Sequence, residues 1–251
     1  MARTVADVQL MLQVIAGPDI CDRISVLHTQ RNLQSKKPLR IQYIPTAGEQ
    51  IIEPEIAEAT RDTAQLLADM GHEIDQQPAP YEPEEMDRIF STLMGAGAAR
   101  IASTFECRPD QLTEAVGAMI ERGRQLTAAD YCSLLDDISK VRAAFDQLFM
   151  RYDILLCPTS PCFPWPTGEP FPKTIAGQPA GRRAGATFAP FVNVAGLPAI
   201  TIPRPGRRPG TPPIGIQLVA PFGRDWELLA LAGEIEKAAP FAFKWSDLAV
   251  H

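Results

Sequence analysis

Nothing in this 251-residue sequence approaches 18 consecutive apolar residues, so it reads as a chain without a membrane-spanning helix. The opening "MARTVADVQL" has no basic stretch followed by an apolar one, which argues against a secretory leader. Positive charge is also in deficit. Lys and Arg number 24 against 30 Asp and Glu, and a net charge of −6 disfavours nucleic acid, which needs a concentrated basic footprint. The five cysteines, Cys21, Cys107, Cys132, Cys157 and Cys162, are odd in number and widely spaced. They form no disulfide framework and fit a reducing cytoplasm. There are only three histidines, His28, His72 and His251, and no Ser-x-x-Lys or Gly-x-Ser-x-Gly occurs, so the common serine-hydrolase signatures are missing.

What is present has a clear order. Residues 4–16 place Val5, Val8, Leu12 and Ile15 at helical spacing, with Thr4 as N-cap, Asp7 at the capping-box position and Gly17-Pro18 as the stop. The stretch 21–37 is polar and loop-like. "PLRIQYIP" alternates Leu39, Ile41 and Tyr43 against Arg40 and Gln42, predicting a strand with one buried face. A helix follows, with Ile56, Thr60, Thr63, Leu67 and Met70 on one side and Gly71 at its end; "HEIDQQPAP" is a short second strand. This βαβ-like start predicts a parallel pair under helices. Helices are expected near 83–104, 109–123 and 127–150. Ile154-Leu155-Leu156-Cys157 is a continuous apolar run, as in a strand buried on both faces. Residues 158–187, rich in Pro and Gly, read as a long loop over the surface or a cleft. Strands at 199–203 and 214–220 and a helix at about 225–238 complete the chain.

Four stretches carry a family resemblance: "ARTVADVQLMLQVIAGPD", "YDILLCPTSP", "FVNVAGLPAITIP" and "PPIGIQLVAPFGRDWELLALAGEIE". In this order and at these distances they resemble the C-terminal half of the amidase signature family of serine hydrolases. The resemblance implies a partial amidase-signature α/β fold, a mixed β-sheet covered by helices, with the N-terminal catalytic half missing. Residues 1–251 then form one C-terminal half: a helix and βαβ-like part over 1–81, a helical cover over 82–150, and the cleft loop, strands and closing helix over 151–251. Family chemistry is acyl transfer by a Ser–cis-Ser–Lys triad. No Gly/Ser-rich double-serine run is present here, so no catalytic residue is assigned and the chain is expected to be inactive alone. Thr159, Ser160, Pro161, Asn193 and Gly196 are the expected substrate contacts, although Asn193 could equally satisfy backbone groups at the strand entry.

The resemblance implies no cofactor and a small carboxamide as substrate. As partners it suggests a missing N-terminal half, supplied in trans in a split enzyme, or a second copy. A non-catalytic binding module derived from an amidase is the alternative. Local replacements for the triad are weak. Lys36-Lys37 lie in a polar loop, and Ser139-Lys140 are helix neighbours that do not face each other. Lys173 lies in the long Pro-rich loop, and Lys237 and Lys244 lie near the C-terminus. A Cys157–His72 dyad requires the fold to bring distant residues together; the simpler roles are a core thiol and a helix-end histidine. Cys157 and Cys162 have no zinc-like second pair, so no metal is expected. "GAGAAR" (95–100) suits close helix packing better than a dinucleotide loop. Arg204, Arg207 and Arg208 read as a solvated turn, and Glu84 and Glu85 as an exposed helix start.

Overall fold

The computed structural model describes residues 1–25, 38–105, 109–205 and 212–240. The readings on His28, Lys36, Lys37, Cys107, Arg207, Arg208, Lys244 and His251 lie outside these residues. In chain order the elements are α1 (Val5–Ile15), β1 (Arg40–Tyr43), α2 (Pro54–Asp69), β2 (Glu73–Gln76), α3 (Pro83–Thr104), α4 (Glu114–Arg124), α5 (Ala128–Leu148), β3 (Ile154–Pro158), β4 (Thr174–Ile175), β5 (Gln178–Pro179), α6 (Pro190–Ala195), β6 (Ala199–Pro203), β7 (Gly215–Val219) and α7 (Asp225–Ala238).

Local chemistry sets many of these boundaries. The Thr4 hydroxyl accepts the Asp7 amide at 3.1 Å, and Thr127 and Asp130 form a reciprocal capping box at the start of α5. Prolines occupy the first helical positions of α2 and α3, where a missing N–H costs nothing. Gly71 closes α2 with φ of 92°, a left-handed conformation that a side chain would oppose.

Five strands form one mixed sheet in the order β2-β1-β3-β7-β6, parallel from β2 through β3 and antiparallel from β3 through β6. Period-2 alternation divides its side chains between two cores. Ile41, Tyr43, Ile154, Leu156, Ile216, Leu218 and Ile202 join α2, α7 and the buried edge of α1 on one face. Leu155, Cys157 and Val219 meet residues of α3, α5 and α6 on the other, where Phe191 stacks on Tyr81 at 4.7 Å and on Phe145 at 5.3 Å. α4 packs on α3 outside this layer. Their contact is close enough that a Cβ on Gly95 would lie 3.5 Å from the Gly123 nitrogen, which accounts for the small-residue "GAGAAR" stretch.

Several expectations need correction. β1 is not half-exposed: Gln42 is only 2% exposed, because β1 lies between two strands with packed layers on both faces. Its amide is accommodated by donating to the Pro78 carbonyl at 3.1 Å. Ile15 does not join the core and is 77% exposed, since α1 packs through Val5, Val8 and Leu12 and turns Ile15 away. Arg204 is not solvated. Strand pairing continues past Pro203, with the Arg204 amide on the Ile214 carbonyl, and this holds its side chain against α2 and Asp62 at 2.6 Å. The 158–187 segment is not structureless either. It contains the β4–β5 hairpin, whose two-residue turn is Ala176 (φ 47°) and Gly177 (φ 74°), the positive-φ pair that matches strand twist.

Candidate functional site

The exit from β3 carries three of the five expected contacts, and each is pinned differently. The Thr159 amide donates to the Gly215 carbonyl at 3.1 Å, and its hydroxyl lies 3.1 Å from the Thr201 hydroxyl. Thr159, just past β3, lies beside Gly215 of β7, and Thr201 of β6, paired with Gln217, sits on the diagonal from Gly215; all are on the sheet face that also carries Cys157 and Gln217. A Cβ on Gly215 would come within 2.9 Å of both Thr159 Oγ1 and Thr201 Cγ2, so glycine keeps the two threonines in reach of each other. Ser160 Oγ donates to the Gly185 carbonyl at 3.0 Å. The Pro161 carbonyl accepts the Glu53 amide at 2.8 Å, while the Glu53 carboxylate accepts the Ala176 amide at 2.7 Å. Glu53 thus ties the turn to the hairpin.

Asn193 and Gly196 lie elsewhere. "FVNVAG" forms a short helix, α6, instead of an extended strand entry. Asn193 is exposed and its amide returns to the Ala189 carbonyl at 3.2 Å, while Gly196 caps the helix with φ of 73°. Register places Ala199 opposite Val219 and Pro203 opposite Gly215, so the chain after Gly196 enters the end of β6 far from Thr159. The offset of four residues is about 13 Å along the strands. The five residues therefore share one layer but do not converge on one point.

Behind the β3 turn lies a cavity of about 200 Å³ lined by Gln50, Pro83, Asp87, Ile175, Arg183 and Thr187 among others. The Thr187 hydroxyl reaches Gln50 Oε1 at 3.0 Å, Arg183 pairs with Asp87, and its guanidinium sits 5.0 Å from the Phe90 ring centre. None of the sequence-predicted contacts lines it. Its polar residues come from three segments, Gln50, Glu84 with Asp87, and Arg183 with Thr187, at spacings that match no motif. The cavity falls below the roughly 300–1,000 Å³ of ligand pockets that enclose their guest.

Among the described residues, the local nucleophile candidates fail on geometry. His72 is buried at the start of β2 and its Nδ1 accepts the Leu39 amide at 3.2 Å. Cys157 lies at the far end of β3, five residues beyond the level of Leu39, or about 16 Å along the sheet. The Cys157–His72 dyad does not form. Burial pushes the Cys157 thiol up to about 12, against the opposing effect of the Gln217 amide, which donates to its sulfur at 3.3 Å. Gln217, unassigned from sequence although polar within "IGIQLV", also bonds the Phe188 carbonyl at 2.8 Å and fixes the approach to α6. Iodoacetamide at pH 8 should label exposed Cys21 and Cys132 in the native chain and leave Cys157 intact until denaturant is added. Peptide mapping checks this; early modification of Cys157 would contradict its burial. Two described lysines are occupied as well: Lys140 pairs with Asp137 at 3.1 Å and Lys173 with Glu169, while Ser139 bonds its own helix.

Fold and site together define an α/β layer that presents hydroxyls at the end of a mixed sheet and holds Cys157 and His72 apart. The chain belongs to the amidase family, whose model matches residues 1–229. It is 29% identical to a glutamyl-tRNA(Gln) amidotransferase component of Picosynechococcus sp., over 98% of this chain and 56% of that protein. A 6-aminohexanoate-cyclic-dimer hydrolase of Paenarthrobacter ureafaciens is 27% identical over 98% of this chain and 54% of its own. Among solved structures, a bacterial aryl acylamidase of the amidase signature family superposes with a TM-score of 0.81 at 19% identity, covering 96% of this chain and 52% of that one. The chain spans about half the length of the curated relatives it matches. No helix among the described residues is long and apolar enough to cross a membrane.

Proposed function

We propose that this chain is the C-terminal portion of a hydrolase that cleaves the C–N bond of a small carboxamide in a reducing cytoplasm, and that it has no turnover by itself. One observation carries the reading: the family match runs along nearly the whole chain, yet its length equals about half of each relative. In the intact enzyme the other half supplies the serine nucleophile, the proton-relaying serine and the neutral lysine. This half supplies a wall, with Thr159, Ser160 and Pro161 at the β3 turn, Asn193 within α6 and Gly196 at its C-cap as substrate contacts. A hydroxyl both donates and accepts, so the Thr159–Thr201 pair can meet the N–H and C=O of an amide in one orientation. The test is ammonia release from acetamide and benzamide. The chain alone should match the buffer blank, and a chain extended by an amidase N-terminal half should hydrolyse at least one of them. Turnover by the chain alone, surviving Cys157→Ala, would overturn the proposal.

A further inference from the structure

The cavity between the β4–β5 hairpin and the start of α3 has apolar walls and an acidic rim. Ile51, Ile175, Pro179 and Pro190 supply hydrocarbon, and Glu84 and Asp87 bring two carboxylates from the first turns of α3. Three residues apart on a helix, these two side chains share a face. Asp87 is paired with Arg183, whose guanidinium rests over the Phe90 ring. Arg88, four residues beyond Glu84, is committed to Asp137 at 2.7 Å. Glu84 therefore has no counter-ion among the described residues, and the cavity lining holds two carboxylates against one guanidinium.

Gln50 adds a further acceptor. Thr187 is 8% exposed, and its hydroxyl lies 2.9 Å from the Ala184 carbonyl and 3.0 Å from Gln50 Oε1. One hydroxyl hydrogen cannot serve two acceptors at once. With that hydrogen on Ala184, the Gln50 side chain can give its amino group to Thr187 and turn its carbonyl into the cavity. A primary ammonium has three donors and no acceptor, which suits Gln50, Glu84 and Asp87 together. An anion would face two carboxylates. At roughly 30 Å³ per water, the 200 Å³ would hold about seven, enough for a short aliphatic arm and its head group. The cavity shares a wall with the β3 turn, because Ser160 Oγ donates to the carbonyl of Gly185, which lies between the lining residues Ala184 and Ala186.

We infer that this cavity is a subsite for a protonated primary amine on a short aliphatic arm, that Glu84 sets its preference for positive charge, and that the carboxamide to be cleaved carries such an arm. The apolar walls take the methylenes, the acidic rim takes the ammonium, and the amide end lies toward the β3 turn. The substrate class rests on the amide-hydrolase reading; the ammonium site does not.

The experiment titrates the full chain with 4-aminobutanamide, n-butylamine, butanamide and succinamate, following the backbone amides of Gln50, Glu84 and Thr187 by NMR. Both amines should shift these amides, and 4-aminobutanamide should bind at least about tenfold more tightly than butanamide, as a charge-assisted hydrogen bond allows. Glu84→Gln should erase that margin, and Glu84→Lys should reverse it in favour of succinamate. Glu85→Gln, one position along and outside the cavity lining, should leave it unchanged. All three variants should keep the circular dichroism of the parent. Equal affinity for 4-aminobutanamide and butanamide, a margin that survives Glu84→Gln, or a margin lost in Glu85→Gln would each overturn the inference. Ammonia release from the two amides is then read on the chain extended by an amidase N-terminal half. Amine binding without release keeps the ammonium site and sinks the hydrolase reading, whereas release from both amides at equal kcat/KM does the reverse.

Discussion

Phe191→Ala should lower the unfolding free energy by about 3–5 kcal/mol, the cost of emptying a large aromatic site in a packed core. Phe191 is fully buried, and its ring is the middle member of the Tyr81–Phe191–Phe145 stack. Each aromatic contact adds about 0.5–1.5 kcal/mol beyond the area it buries. The site cannot collapse easily, because Tyr81 is tied by its hydroxyl to the Thr187 carbonyl at 3.3 Å and Phe145 belongs to the long α5. At about 2–4 °C per kcal/mol for a chain of this size, the melting temperature should fall by roughly 10 °C. A urea titration should show a lower midpoint with an unchanged slope. A loss below about 1 kcal/mol would mean that α6 does not enter the core as described.

The second large effect concerns two backbones and no large side chain. Gly123→Ala would place a Cβ against the Gly95 carbonyl, well inside van der Waals contact, and 2.8 Å from Ala99 Cβ. Alanine gains about 1 kcal/mol of helix propensity over glycine, but overpacking costs about 1–3 kcal/mol and here the obstacle is backbone. The steric loss should win. α4 is expected to separate from α3, with amide exchange rising along 114–124 while the sheet keeps its protection. Gly117, also on α4, has nothing near its Cβ position, and Gly117→Ala should stabilise slightly. If both alanines behaved alike, the α3–α4 approach would be wrong.

The pattern of what can be read from sequence follows from range. Helix starts at Thr4 and Thr127 and the parallel β1–β2 pair depend on neighbours within a few residues or on one period, and they are visible in the letters. The burial of β3 is visible because four consecutive apolar residues have no solvent face to turn. Gln42 and Arg204 mislead because their burial depends on partners far along the chain, Pro78 and Asp62. Asn193 illustrates a different limit. "PFVNVAG" carries a proline at N1 and a glycine at the C-cap, the ordinary signature of a short helix, yet the β-branched strand after it is the stronger signal. At the site, Thr159 is named through the resemblance carried by "YDILLCPTSP". Its partner Thr201 and the permissive Gly215 come from two other strands, and only strand pairing brings them near Thr159, Gly215 directly and Thr201 on the diagonal.

Pro203 gives the open edge of β6 a built-in ruler. The bonds from the Ala220 amide to Pro198 and from the Arg204 amide to Ile214 turn the backbone groups of Ala199, Thr201 and Pro203 away from β7. Pro203 offers a carbonyl there but no N–H, and the left-handed turn at Gly196 limits the other end. An incoming strand shifted by one residue would find a pyrrolidine ring where a donor is needed, and it would present its alternate side chains to the wrong face. The same proline makes endless strand-on-strand stacking of identical copies unfavourable. Alignment is therefore encoded at the edge itself, by one absent hydrogen.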